Sequence, residues 1–150
     1  MSTFYRVLCN DSSDFNIIEN EFFRCFNQSD NQQKRTVDEI DLYSEEFAIY
    51  YKKSSETAKF RSEDYKLKFN CSFTISPVIS KKENEILLYR FIGYLLKKLQ
   101  GDFVFEFNGD TPVVIRRDED VLAQSPFVSI SGMWQSFCFV HLAPVSIKNR

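Results

Sequence analysis

From Lys66 onward apolar and polar residues alternate, with Leu67, Phe69, Cys71, Phe73 and Ile75 on one side and Lys66, Lys68, Asn70, Ser72 and Thr74 on the other. A period of two predicts a strand with one buried and one wet face, ended at Pro77. From Lys82 to Gln100 the period lengthens. Leu88, Phe91 or Ile92, Leu95 and Leu99 form a stripe, and Ile86, Leu87, Tyr89 and Leu96 widen it. That spacing predicts a helix packed on more than one layer. Gly101 suits the residue after it, and Lys97-Lys98 suit its negative end. Burying five such side chains at roughly 1.5–3 kcal/mol each makes this helix the main contributor to the core.

Phe15, Ile18, Phe22 and Phe26 repeat the helical spacing over 14–26, with Ser13 or Asp14 as the cap and Glu19 and Glu21 near the positive end. The polar run NQSDNQQKR ends it. Thr3 to Cys9 and the run EFAIYYK from Glu46 read as strands; TVDEIDLYSEE fits either an irregular strand or a helical turn, and SSETAKFRSED a loop with some helical turn. Phe103, Phe105 and Phe107 share one strand face. Asn108-Gly109, both tolerant of positive φ, turn the chain into a return strand with Pro112 at its start. Ser125–Ser131 and Phe137–Leu142 read as two further strands with Trp134 between them. These elements predict an α+β fold: a single domain with a mainly antiparallel sheet and two principal helices, 14–26 and 82–100, packed on it. The 150 residues match one domain.

Sixteen Phe, seven Tyr and one Trp exceed what most cores need, so a minority of rings is expected at a partner surface. The net charge of −2 gives no overall attraction to nucleic acid. The charges are segregated, however: residues 1–46 hold four bases against ten acids, and residues 47–100 hold eleven against five. Such asymmetry bears on partners more than on fold.

The first apolar stretch, FYRVLC, is broken by Arg6 and followed by NDSSD, which does not match a secretion signal, and no window approaches the roughly 20 apolar residues of a membrane span. Cys9, Cys25, Cys71 and Cys138 lie far apart among apolar neighbours and read as reduced core thiols of a cytoplasmic protein. Metal spacing is missing, with His141 the single histidine, and no phosphate-binding glycine loop occurs. Ser131-Gly132 lacks the glycine pattern of a nucleophile elbow, and Cys138 and His141, three apart on a strand, face opposite sides. Glu106 could approach Asp118 or Asp120 across the hairpin beside Arg116, but acids near a turn are normally solvated. The expectation is a non-enzyme without cofactor, with Arg116-Arg117 paired to Glu106 or Asp118.

Two segments suit binding. Between Tyr50 and Lys68, Lys52, Lys53, Lys59, Arg61, Lys66 and Lys68 interleave with Tyr50, Tyr51, Phe60 and Tyr65, a pattern that holds single-stranded nucleic acid or serves an adaptor. Lysines on a wet strand face also protect an edge. Between Val37 and Glu46, Asp38, Glu39, Asp41, Glu45 and Glu46 surround Tyr43, an acidic frame around an aromatic anchor suited to a basic protein partner.

The segment from Leu67 to Arg117 resembles bacterial immunity proteins of the Sit immunity type, which neutralise polymorphic or contact-delivered toxins. The shared pattern is a strand leading to Pro77, a long apolar helix, Gly101-Asp102, strand residues, Asn108-Gly109, strand residues and Arg116, about a third of the chain. The resemblance implies a cytoplasmic protein that binds one cognate toxin domain and blocks its active site or essential partner, with no catalysis and no cofactor. The acidic surface Asp38, Glu39, Asp41, Tyr43, Glu45 and Glu46 is the expected contact, and the nucleic-acid or adaptor reading of 50–68 is the alternative.

Overall fold

The alternating runs pair into a single sheet, described in a computed structural model over residues 3–10, 15–79, 81–109, 111–117, 120–123 and 139–141. In chain order the elements are β1 (Tyr5–Cys9), α1 (Phe15–Cys25), β2 (Lys34–Arg35), β3 (Glu39–Tyr43), β4 (Phe47–Lys53), α2 (Glu56–Tyr65), β5 (Cys71–Pro77), α3 (Lys82–Lys98), β6 (Phe103–Phe107), β7 (Thr111–Arg117), β8 (Asp120–Ala123) and β9 (Phe139–His141). The strand order is β2-β3-β4-β5-β1-β6-β7-β8-β9. Every pairing is antiparallel except β8 with β9. The α+β class and the mainly antiparallel sheet are as expected. The ambiguous 37–46 stretch resolves as strand β3.

Helices α1 and α3 lie on one face, where Ile18, Phe22, Phe91, Ile92 and Leu95 pack on Val7, Ile49, Phe73, Ile75 and Phe105. The rings of Phe22, Phe26, Phe47, Phe73 and Phe91 form a continuous set of contacts with centroids 5.1–6.5 Å apart. Most of the aromatic surplus is therefore core filling.

A third, shorter helix joins the two principal ones. The segment 56–65, expected as a loop with some helical turn, forms α2 on the opposite face. Ser55 caps it, its Oγ accepting from the Ala58 amide at 3.2 Å. Lys66, left-handed at φ 55°, closes the other end, its amide donating to the Ser62 carbonyl. Only Ala58 and Tyr65 of this helix are buried, and Phe60 points to solvent at 68% exposure, so no apolar stripe announces it. Under α2 lie Leu8, Val104, Ile115 and Leu122, joined by Leu67 and Phe69. The run predicted as one strand from Lys66 is thus divided: β5 begins at Cys71, and Leu67 and Phe69 fill the second core instead of the first.

Asn108 and Gly109 take positive φ, 54° and 77°, as a tight hairpin turn requires. The ladder slips by one residue after Phe105, so that Glu106 stands opposite Pro112. Cap residues Ser13 and Asp14, the strand 125–131 and Trp134 lie outside the described residues. Of the expected strand 137–142, Phe139–His141 is described as β9.

Candidate functional site: an open sheet face

Strand alternation sends Ile40, Leu42, Ile49, Tyr51, Phe73 and Ile75 into the main core. Their neighbours consequently face the other way. On β1, β6 and the start of β5, where Ser72 Oγ bonds Ser55 Oγ of the α2 cap at 2.7 Å, that second face lies beneath α2, but over β2 to β4 and the rest of β5 no described helix covers it. The register lays its side chains in rows. Lys34 stands opposite Asp41, Asp41 opposite Tyr50, Tyr50 opposite Thr74, Thr74 opposite Arg6, and Arg6 opposite Glu106. A second row runs Tyr43, the buried Ala48, Ser76, and a third Glu39, Lys52, Ser72 before meeting Leu8 at the edge of the α2 core.

Tyr43 and Tyr50 meet edge to face, with centroids 6.3 Å apart, and Tyr50 is 44% exposed. Desolvation, then the charge of Asp41 and a hydrogen bond to it, raise the Tyr43 phenol above its ordinary value. Its hydroxyl stays protonated and donates to Asp41. Lys52 Nζ lies 3.8 Å from Glu39 Oε1, both exposed, a pair worth little in water. Tyrosine, serine and threonine together suit protein recognition: the rings give large contact area at small entropic cost, and the hydroxyls adapt their hydrogen bonds.

Of the six residues expected at a partner surface, Glu39, Asp41 and Tyr43 lie on this face. Asp38 and Glu45 flank β3, both exposed, held by backbone bonds from Lys53 N to Asp38 O at 2.8 Å and from Glu45 N to Asn27 O at 2.9 Å. Glu46 is a correction. It is buried, and its two carboxylate oxygens accept from the Asn27 amide at 2.8 Å and the Asn27 side chain at 2.9 Å. This carboxylate ties the end of α1 to β4 and offers nothing to a partner.

The basic aromatic segment from Tyr50 to Lys68 is split. Tyr50 and Lys52 sit on the open face; Tyr51 and Tyr65 are buried in separate cores; Lys59, Phe60, Lys66 and Lys68 are exposed on α2 and the turn after it. Arg61 turns inward to Glu106, which is 0% exposed, and Tyr65 OH donates to the same Glu106 Oε2. Burial, then the hydrogen bond and charge of Glu106, push the Tyr65 phenol far above its ordinary value. Glu106 Oε1 and Arg61 Nε have no partner among the described residues.

The arginine pair is held on backbone carbonyls. Arg116 donates to the carbonyls of Leu96 at 2.6 Å, Leu99 at 2.8 Å and Gly101 at 2.8 Å, closing the C-terminal end of α3. Arg117 donates to the Tyr65 carbonyl at 3.1 Å. Glu106 is engaged from α2 instead, Asp120 is exposed, and Asp118 lies outside the described residues, as do Cys138 and the His141 side chain. No local pattern pairs Arg61 with Glu106, since 45 residues separate them. Nor does one place Arg6, Tyr50 and Thr74 beside Asp41.

A separate cleft of about 290 Å³ opens at the start of α3, lined by Tyr5, Phe47, Ile79, Lys82, Asn84 and Phe107 among others. Its size is at the lower end for a small-molecule site. Among the described residues, no group of three or more His, Cys, Asp or Glu is placed to hold a metal, and no helix is long and apolar enough to cross a membrane. Compared with known proteins, the chain matches no family model, no curated protein and no solved structure.

Proposed function

We propose that this chain is a protein inhibitor of the immunity type, which binds a cognate bacterial toxin domain and blocks its active site or an essential partner. The observation that carries the reading is the Tyr43–Tyr50 pair on a sheet face that no described helix covers, with Glu39 and Asp41 on the same strand and Asp38 and Glu45 flanking it. The rings supply contact area, and the acids steer a basic partner and fix its orientation. Lys34, Lys52 and Arg6 interrupt the negative charge, which favours a partner with a matching mixed pattern over one that is uniformly basic. On this reading the chain acts in the cytoplasm, without a cofactor and without catalysing a reaction.

The test is co-purification of the tagged chain from its native background, expressed with its neighbouring reading frames and washed in high salt. A stoichiometric toxin domain is expected. Tyr43→Ala with Tyr50→Ala, or Asp38→Lys with Asp41→Lys and Glu45→Lys, is expected to release it while the chain stays folded. Retention of RNA alone, lost with salt and with Lys59→Glu and Lys68→Glu, would instead support the single-strand binding alternative. A toxin domain that stays bound to both face variants overturns the assignment of this face.

A further inference from the structure

Cys9 ends β1 and Cys71 begins β5, and the two are direct partners across the ladder. Both side chains are buried in the main core, and their Sγ atoms lie 3.0 Å apart, inside ordinary sulfur–sulfur contact. Paired residues on adjacent antiparallel strands have Cα atoms about 4.5–5.5 Å apart, within the roughly 4.4–6.8 Å that a disulfide spans. Bringing the sulfurs to a bond of about 2.05 Å requires a movement of only about 1 Å. The widely spaced cysteines read as reduced core thiols from sequence, and 62 residues separate this pair. Cys25, the other described cysteine, is free.

We infer that Cys9 and Cys71 form a modification site, a cross-strand disulfide made by exchange with a low-molecular-weight disulfide. One thiolate attacks the oxidant, forming a mixed disulfide and releasing one thiolate of the reagent. The second cysteine loses its proton and attacks the protein sulfur of that mixed disulfide, releasing the other reagent thiolate. Two electrons and two protons pass from the cysteine pair to the oxidant, which leaves as two thiols. Cys9 also pairs with Phe103 of β6 and Cys71 with Lys53 of β4, so exchange requires a local opening at the shared end of β1 and β5 that releases these neighbours as well. The product joins the central strand β1 to β5 and closes a loop containing α1, β2, β3, β4 and α2. Such a loop restricts the unfolded chain far more than the folded one.

The experiment equilibrates the purified full chain in glutathione buffers of graded oxidised-to-reduced ratio, quenches with acid, alkylates free thiols and maps the peptides by mass. Expected are a mass lower by two hydrogens, a Cys9–Cys71 linked peptide, and an alkylated Cys25. The oxidised chain is expected to show an unfolding equilibrium constant about 10²- to 10³-fold smaller than the reduced chain in the same denaturant series. Cys9→Ser and Cys71→Ser serve as controls, and the mapping on the unaltered chain stands even if they fold poorly. The inference is overturned if Cys9 and Cys71 remain alkylatable at every ratio, if the link joins either to Cys25 or Cys138, or if the oxidised chain unfolds as easily as the reduced one.

Discussion

Replacing Arg61 by Met tests what holds α2 on the sheet. Glu106 is completely buried, and its Oε2 accepts from both Arg61 and Tyr65. Removing the guanidinium leaves a buried carboxylate with a single phenol donor. Breaking a buried pair in this way costs about 3–5 kcal/mol. The Arg61 side chain is 19% exposed, so some water can replace it, and the expected cost falls at the lower end, about 3 kcal/mol. Glu106→Gln keeps the shape and one acceptor oxygen, and the freed Arg61 still reaches Asp64 at 2.8 Å; it is expected to cost about 1–2 kcal/mol. The double variant has no buried charge to leave unmatched and is expected to be no less stable than Arg61→Met alone. Urea unfolding of all four proteins at neutral pH, followed by far-ultraviolet circular dichroism, gives the coupling from the midpoints at a common slope. A coupling of about 1.5 kcal/mol or more is expected; costs that add to within about 0.5 kcal/mol refute the lock.

Arg116→Ala removes three donors from the last carbonyls of α3 and is expected to cost about 2 kcal/mol. Arg116→Lys recovers less than half, because one ammonium cannot reproduce the planar fork; unfolding midpoints check both. Gly109→Ala is expected to destabilise by about 1–2 kcal/mol, since φ is 77° and a Cβ would lie 3.0 Å from Arg6 Nη1 and 3.2 Å from the Phe4 ring. Asn at the same position recovers part of that cost in a thermal melt. Burial, then the charge of Glu21, pushes the Cys25 thiol up to about 11 from an ordinary 9.0. Iodoacetamide is therefore expected to modify it about 100-fold more slowly than a free thiol at pH 8, with the rate still climbing beyond pH 10. Because its folded value lies above the unfolded one, its contribution to stability is complete below about pH 9 and is lost as pH rises toward about 11.

The legible parts of this fold were those whose signal is local. The helix period over 82–98, the alternation of Phe103, Phe105 and Phe107, and the Asn108-Gly109 turn each state their structure within one element. Helix α2 escaped because its burial depends on two residues, Ala58 and Tyr65, and its largest apolar side chain, Phe60, faces water. The run from Lys66 misled for a different reason. Its alternation is regular, but a left-handed residue at Lys66 and the Asp102 carboxylate, which accepts from the Lys68 amide at 2.8 Å, hold Leu67 and Phe69 out of the strand. Glu46 shows the same limit at the candidate site. Its charge looked like part of an acidic surface, yet a distant Asn27 decides that it is a buried tie.

Two kinds of residue share one row of the sheet and ought to separate experimentally. Tyr50 and Thr74 stand on the open half, Arg6 stands next, and Glu106 lies beneath α2. Tyr50 contacts Tyr43, while Glu106 contacts Arg61 and Tyr65, two sets with no shared partner among these contacts of the described residues. Sites without shared partners act additively. Substituting the tyrosines should therefore lower partner affinity with little effect on unfolding, and breaking the lock should lower stability and leave affinity intact at temperatures where the chain remains folded. Measuring both quantities on Tyr43→Ala/Tyr50→Ala, on Arg61→Met and on the combination checks this. If Arg61→Met weakens the partner as much as the tyrosine changes do, α2 belongs to the contact surface, and the boundary drawn at Arg6 is in the wrong place.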